Sequence, residues 1–277
     1  MVRQKGAVSA LLVTGSDKIE SGFGNGDCLL LDFSRLIFAV SDGSERHPSA
    51  SRILLERFAH ALTSSSLSCG VDELQCAIGR IYKEQKYIHK CTFSCAALFK
   101  NKNDFTAFVS SGGDSAVIIA DSSDGSVIFK TASDMNFAGR SNKAPGISSV
   151  ALKVPGLRII LASDGFIEAL NKIQKQEASK LPVWLLRGSV CSLAGEFRRG
   201  FAAKNLKSYD DIGMIIIDPF AVCRENAAIF IGGTLPAKEA LFTTSFTARS
   251  GRWMEKEKWP RNESLLDSAG IKIKEIK

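Results

Sequence analysis

A chain of 277 residues with 45% hydrophobic and 23% charged side chains has the apolar content for a sizeable core and no bias towards disorder. Its formal charge of +7 invites a polynucleotide partner, but the basic residues are scattered, and the richest stretches, 172–180 and 252–261, are interrupted by acidic or neutral residues. With no zinc finger, RNA-recognition signature or glycine-rich basic tract, no nucleic-acid partner is expected. No membrane partner is expected either, because no apolar run is long enough to span a bilayer.

The first expected strand is 7–13, an apolar run too short and weakly flanked for a signal peptide, so a cytoplasmic chain is expected. Residues 28–40 read as two strands around a turn at 32–35. A helix follows, with Ile53, Leu54, Phe58, Ala61 and Leu62 at helical spacing behind N-cap candidates at Ser49 and Ser51. Val71, Leu74, Ile78, Ile81 and Tyr82 mark a second helix, whose first turn carries Asp72 and Glu73 at the positive end of its dipole. A meander of strands spans 92–99, 105–110, 116–120 and 126–130, with turns at 101–104, 112–114 and 124–125. Cys91, Phe93 and Cys95 share one strand face there; with no second Cys or His pair to complete a zinc clip, they read as core thiols in a reducing compartment. Residues 131–155, with Gly139, Pro145, Gly146 and Pro155, read as irregular. Helices are expected over 165–178 and 182–203, then a last core strand at 212–217 ended by Pro219. Residues 221–277 change character, with one further strand expected at Ala227–Ile231. Helices arriving in pairs between groups of strands indicate an α+β sandwich of sheets flanked by helices.

One short pattern occurs twice: Leu36 to Gly43 and Arg158 to Gly165 are apolar, β-branched runs that stop at Ser-Asp-Gly. A third acid pair, Asp210-Asp211, precedes the run Ile212 to Ile217. An acid at the mouth of a buried strand is held rigidly yet escapes the cost of burying an unpaired charge. The following glycine lets the backbone turn away, or brings a carbonyl close to whatever the acid binds. Asp27, Asp42, Asp114, Asp164 and Asp210 all stand at such turns, separated by 15, 72, 50 and 46 residues, so only the fold can unite them. Singly, each reads as turn chemistry. Together they read as carboxylates gathered around a shared cation, because clustered acids repel unless one neutralises them. Hard oxygen ligands suit Mg²⁺ or Mn²⁺, and two such ions can acidify a water and bind the oxygens of a phosphate ester.

In this order the segments resemble the metal-dependent type 2C protein serine/threonine phosphatases, the PPM family. Asn25-Gly26-Asp27 is similar to the family's Asn-Glu-Asp, and Phe38 to Gly43 to its strand ending in Asp-Gly. Thr92-Phe93-Ser94 is similar to its Gly-Thr-Thr, and Gly113-Asp114-Ser115 to its Gly-Asp-Ser; Leu161 to Gly165 and Asp210-Asp211-Ile212 complete a series over residues 25–217. The resemblance implies a four-layer α-β-β-α sandwich, with a catalytic domain over 1–220 and a C-terminal extension over 221–277. It implies hydrolysis of phosphoserine or phosphothreonine on a protein by in-line attack of a water bridging two metals, and a cognate kinase as a further partner. Asp42 would bridge two Mn²⁺ or Mg²⁺ ions, with the Gly43 carbonyl on one of them and Asp164 and Asp210 as further ligands. Asp27 would act partly through water, and Asp114 would help to hold a third, looser ion. His47, five residues after Asp42, either gives a proton to the leaving alkoxide or merely caps the helix that it opens. Three departures bear on substrate binding. Gly26 replaces the family's acid, Gly22 stands where a phosphate-holding arginine is expected (Lys18 or Arg46 being the substitutes at hand), and any flap is confined to 131–155. These departures motivate an alternative, a pseudophosphatase that binds a phosphoprotein or kinase without turnover.

Overall fold

The computed structural model describes residues 7–13, 15, 25–44, 47–63, 70–83, 89–101, 104–173, 179–187, 210–224 and 228–233. Eleven strands are described: β1 (Val8–Val13), β2 (Asp27–Asp32), β3 (Ile37–Asp42), β4 (Phe93–Asn101), β5 (Asp104–Gly112), β6 (Ala116–Asp121), β7 (Val127–Lys130), β8 (Ile147–Leu152), β9 (Leu157–Ala162), β10 (Ile212–Ile217) and β11 (Ala228–Gly232). The described helices are α1 (Ser49–Thr63), α2 (Val71–Lys83), α3 (Asp164–Ile173) and α4 (Val183–Arg187). The strands form a five-stranded sheet in the order β1-β10-β9-β6-β7 and a six-stranded sheet in the order β11-β2-β3-β4-β5-β8. Every pairing is antiparallel.

Alternation along the strands divides the apolar residues between layers. Leu29, Leu31, Phe38, Val40 and Leu98 of one sheet meet Val117, Ile159, Leu161, Ile215 and Ile217 of the other in a core between the sheets. The intervening residues Leu30, Ile37, Ala39 and Cys95 pack outward on Leu54, Phe58, Ile78 and Tyr82 of α1 and α2. On the far side Ile160, Met214 and Ile216 pack on Phe166, Leu170 and Leu185 of α3 and α4. Central strands buried on both faces carry continuous apolar runs, which is why the two Ser-Asp-Gly strands were legible. The layers run helices, sheet, sheet, helices, as the sequence predicts.

Local chemistry explains the helix ends. At α2 the Gly70 N–H donates to Glu73 Oε2 at 2.8 Å, half of a capping box, with Asp72 and Glu73 at the first turn and Arg80 and Lys83 at the last. At α1, Ser51 Oγ donates to Gly26 O at 2.5 Å and to Pro48 O at 3.0 Å, tying the helix start to the residue before Asp27.

The structure corrects some element boundaries. The stretch 131–155 is not wholly irregular: Ile147–Leu152 forms β8, an edge strand beside β5 in which only Leu152 is buried, so no apolar alternation advertises it. The expected helix 165–178 begins at Asp164 and is described to Ile173, with 174–178 outside the described residues. Of 182–203 only Val183–Arg187 is described as helix, and 188–203 lies outside. The strand expected at Ala227–Ile231 is β11, which pairs with β2 along Ala228↔Asp32 to Gly232↔Cys28 and so belongs to the six-stranded sheet. Among the described residues no helix is long and apolar enough to cross a membrane.

Gly165 follows Asp164 for a packing reason. A Cβ there would overlap the backbone carbonyl oxygen of Asp211, so the N-terminus of α3 approaches the entry to β10 more closely than any side chain permits. Gly165→Ala is expected to cost about 1–3 kcal/mol, the usual penalty of overpacking. Urea denaturation of the two proteins checks it.

Candidate metal centre

Asp27 opens β2 and Asp42 closes β3, and antiparallel register sets them directly opposite each other. Asp164 arrives from the other sheet, where β9 ends at Ala162 and α3 begins. Asp114 lies in the crossover between β5 and β6, which belong to different sheets. The preceding Gly113 has φ +93°, a left-handed conformation natural to glycine, and donates its N–H to Asp134 Oδ1 at 2.9 Å. Asp42, Asp114 and Asp164 each place one carboxylate oxygen within 4.8 Å of the others. Three strand ends from two sheets therefore converge. Asp42 and Asp164 are half-buried, and Asp114 stands at the open side of the pocket.

The supporting bonds hold these acids in place. Ser163 Oγ donates to Asp27 Oδ2 at 2.7 Å, Ser163 N–H donates to Gly213 O at 2.9 Å, and Gly213 N–H donates to Ser163 Oγ at 2.9 Å. One serine thus ties β9, β10 and β2 together. Thr92 Oγ1 accepts the Asp42 N–H at 2.8 Å and pairs with Ser115 Oγ at 2.6 Å; Thr92 N–H donates to Asp42 O at 2.9 Å. Asp42 is fixed on both sides of its peptide.

Electrostatics are unfavourable here. Burial raises the Asp42 carboxyl well above its ordinary range, and Asp164, Asp210, Asp211 and Asp114 raise it further. Burial also raises Asp27, followed by Asp42 and Asp211, against the lowering effect of the Ser163 hydroxyl. Asp164 is raised by burial and then by Asp114, while the Gly165 N–H partly offsets this. Asp27 Oδ1 is buried with no hydrogen-bond partner among the described residues. An orphaned carboxylate oxygen beside three clustered acids is the chemistry of a hard divalent cation site, and the residues fit Mg²⁺ or Mn²⁺.

The remaining candidates are placed as follows. Asp210 is exposed and outside the three-oxygen cluster, yet close enough to raise both Asp42 and Asp164. The Gly43 N–H donates to Gly26 O at 2.9 Å, so Gly43 continues the β3 side of the pocket. His47 stands beyond Gly43, exposed, two residues before α1. Gly22, Lys18 and Arg46 lie outside the described residues.

Asp211 is the residue that sequence reasoning passed over. It is buried, with Oδ1 accepting the Gly15 N–H at 2.7 Å and Oδ2 the Gly26 N–H at 2.6 Å. A Cβ built on Gly26 would stand 2.9 Å from Gly43 O, 3.3 Å from Asp211 Oδ2 and 3.6 Å from Asp42 Oδ1. Position 26 therefore has no room for an acid, and the Asp211 carboxylate occupies its neighbourhood instead. The doublet Asp210-Asp211 was the signal, since two adjacent acids at a strand entry face different ways.

No protein-family model and no curated protein matches the chain. Solved structures do. The serine/threonine phosphatase Stp1 from Staphylococcus aureus superposes with a TM-score of 0.58 at 13% identity, over 77% of this chain and 94% of that one. A bacterial serine phosphatase gives 0.53 at 12% identity over 76% and 97%. RsbX in complex with magnesium gives 0.52 at 17% identity over 76% and 92%. The chain shares the fold of these three structures.

Two outcomes follow from the pocket. Raised carboxyl values mean that the folded chain binds protons more tightly than the unfolded one. That stabilisation is complete below the ordinary carboxylate range and is lost as pH rises through the raised values. In metal-free buffer the melting temperature should thus fall as pH rises above the ordinary carboxylate range, and Mn²⁺ should suppress the slope; a scan with and without chelator reads both. Ser163→Ala frees the second oxygen of Asp27 and should weaken Mn²⁺ binding by about 10–100-fold, the usual cost of losing a residue that orients a ligand. Titration calorimetry measures it.

Proposed function

We propose that this chain belongs to the type 2C phosphatases and hydrolyses phosphoserine or phosphothreonine on proteins with the help of divalent cations. The observation that carries the reading is the convergence of Asp42, Asp114 and Asp164 from three segments, with an unpartnered oxygen of Asp27 beside them. The solved structures support it, since two of the same fold are described as phosphatases and a third, RsbX, as a complex with magnesium.

In this reading Asp42, Asp164, Asp210 and the Gly43 carbonyl would hold the divalent cations, Asp27 would act beside them partly through water, and Asp114 would help to hold a further, looser ion. Bound Mn²⁺ or Mg²⁺ supplies neutralisation of the carboxylates, Lewis acidity towards phosphoryl oxygens and a lowered pKa for a coordinated water. Thr92 and Ser115 hold the Asp42 backbone while the ligand set is charged. Asp211 supplies negative charge beside position 26, where Gly26 has none. His47 delivers a proton to the leaving serine or threonine alkoxide. The catalytic unit of this reading includes β11, because that strand pairs with β2 beside Asp27. A phosphoprotein is the substrate, and its kinase a further partner.

The test is phosphate release from p-nitrophenyl phosphate and from phosphopeptides, with Mn²⁺, with Mg²⁺ and with chelator. Activity should require the cation. Asp42→Asn should lower turnover at least about a thousandfold, the scale of losing an electrostatic element of a site, while raising the melting temperature of the metal-free chain by removing one repelling charge. Tight Mn²⁺ binding without turnover on a broad phosphopeptide panel would make the protein a binding scaffold instead.

A further inference from the structure

Two histidines at the edge of the carboxylate pocket are not explained by the cation site. His47 and His89 are both exposed and lie face to face, with ring centroids 3.3 Å apart and planes 2° from parallel. They come from different segments, and the backbone makes them meet. Gly43 bridges to Cys91, the Ser44 N–H donates to Lys90 O at 3.2 Å, and the His47 N–H donates back to Ser44 O at 2.8 Å. The pair therefore sits on the rungs immediately past Asp42. Neither imidazole has a hydrogen-bond partner among the described residues. Next to His89 in the chain, Lys90 rests its ammonium 3.8 Å from the centre of the Phe137 ring, and Phe137 itself packs against Gly113, the neighbour of Asp114. A nitrogen-rich rim thus bridges the loops that carry Asp42 and Asp114.

We propose that the stacked rings of His47 and His89, with Lys90 at their side, anchor the phosphoryl oxygens of the substrate. The proposal rests on the phosphatase reading and names the groups that do the work of the arginine absent at position 22. A pocket full of carboxylates repels a phosphate dianion, so donors must be supplied at its edge. An imidazole keeps one N–H donor even when neutral. Two rings stacked with centroids 3.3 Å apart gather two such donors in one place on the rim, and hydrogen bonds to an ionised acceptor are the strong ones. Each ring also restrains the other's plane, which lowers the ordering cost when substrate arrives. His89 is on this account a substrate-positioning residue, distinct in role from the proton transfer assigned to His47.

The experiment uses the full chain and inorganic phosphate as the probe. Phosphate affinity is read by calorimetry and by inhibition of p-nitrophenyl phosphate hydrolysis, for the natural chain, His89→Phe and His89→Gln. His89→Phe keeps an aromatic ring on His47 but has no donor. It should weaken phosphate binding about tenfold, the scale of one hydrogen bond to a charged group, and raise KM by a similar factor with a smaller change in kcat. Mn²⁺ affinity should stay as in the natural chain. His89→Gln, which restores an N–H without the stack, should recover part of the loss. Phosphate affinity and KM unchanged in His89→Phe, or no phosphate binding by the natural chain, would overturn the proposal. Phosphate bound by the natural chain and lost in His89→Phe, with no hydrolysis by either, would uphold the anchor and sink the phosphatase reading. Hydrolysis that His89→Phe leaves untouched would do the reverse.

Discussion

Like charges held close together are the constraint on which the rest of this structure turns. Asp27 and Asp42 face each other across a hairpin, and Asp114 and Asp164 are delivered to the same pocket by a crossover and by the end of β9. Left alone, the arrangement costs free energy, because each ionised carboxylate hinders the ionisation of the next. The fold pays for it with apolar burial on three levels, between the sheets and beneath both helix layers. Repulsion of this kind persists only where the surrounding structure holds the acids in place. A divalent cation removes the repulsion at one stroke.

The two sheets are also stitched together at this end by polar groups. Ser163 links β9 and β10 to Asp27, and Asp211 reaches from the entry of β10 to the backbone at Gly15 and Gly26. Each stitch joins the five-stranded sheet or its entry to a segment leading into the other. Relative sliding of the sheets would therefore misplace Asp27 against Asp164, and the fixed geometry that a small, hard cation demands follows from buried hydrogen bonds rather than from loop chemistry. Thr92 and Ser115 do the same work between β4 and the Asp114 crossover.

Much of this was legible in the chain because burial on both faces writes continuous apolar runs, and the acid at the end of each run breaks the pattern abruptly. The runs Ile37 to Val40 and Ile159 to Ala162 showed the strands, and an acid stands at the mouth of each. Strand β8 was hidden for the opposite reason: an edge strand with Ser148 and Ser149 exposed has no buried face to impose a period. Asp211 was passed over because its role depends on backbone N–H groups 185 and 196 residues away, which no local spacing encodes. The stack of His47 on His89 is likewise a product of the Gly43 and Cys91 rungs, and a lone exposed histidine carries no signal of its partner.

The most direct measurement is anomalous diffraction from crystals of the full chain grown with Mn²⁺. The account predicts anomalous peaks in the pocket bounded by Asp42, Asp114 and Asp164, with a carboxylate oxygen of Asp42 in the coordination sphere. A pocket that takes up no Mn²⁺ at saturating concentration, with the acids turned apart to solvent, would contradict it.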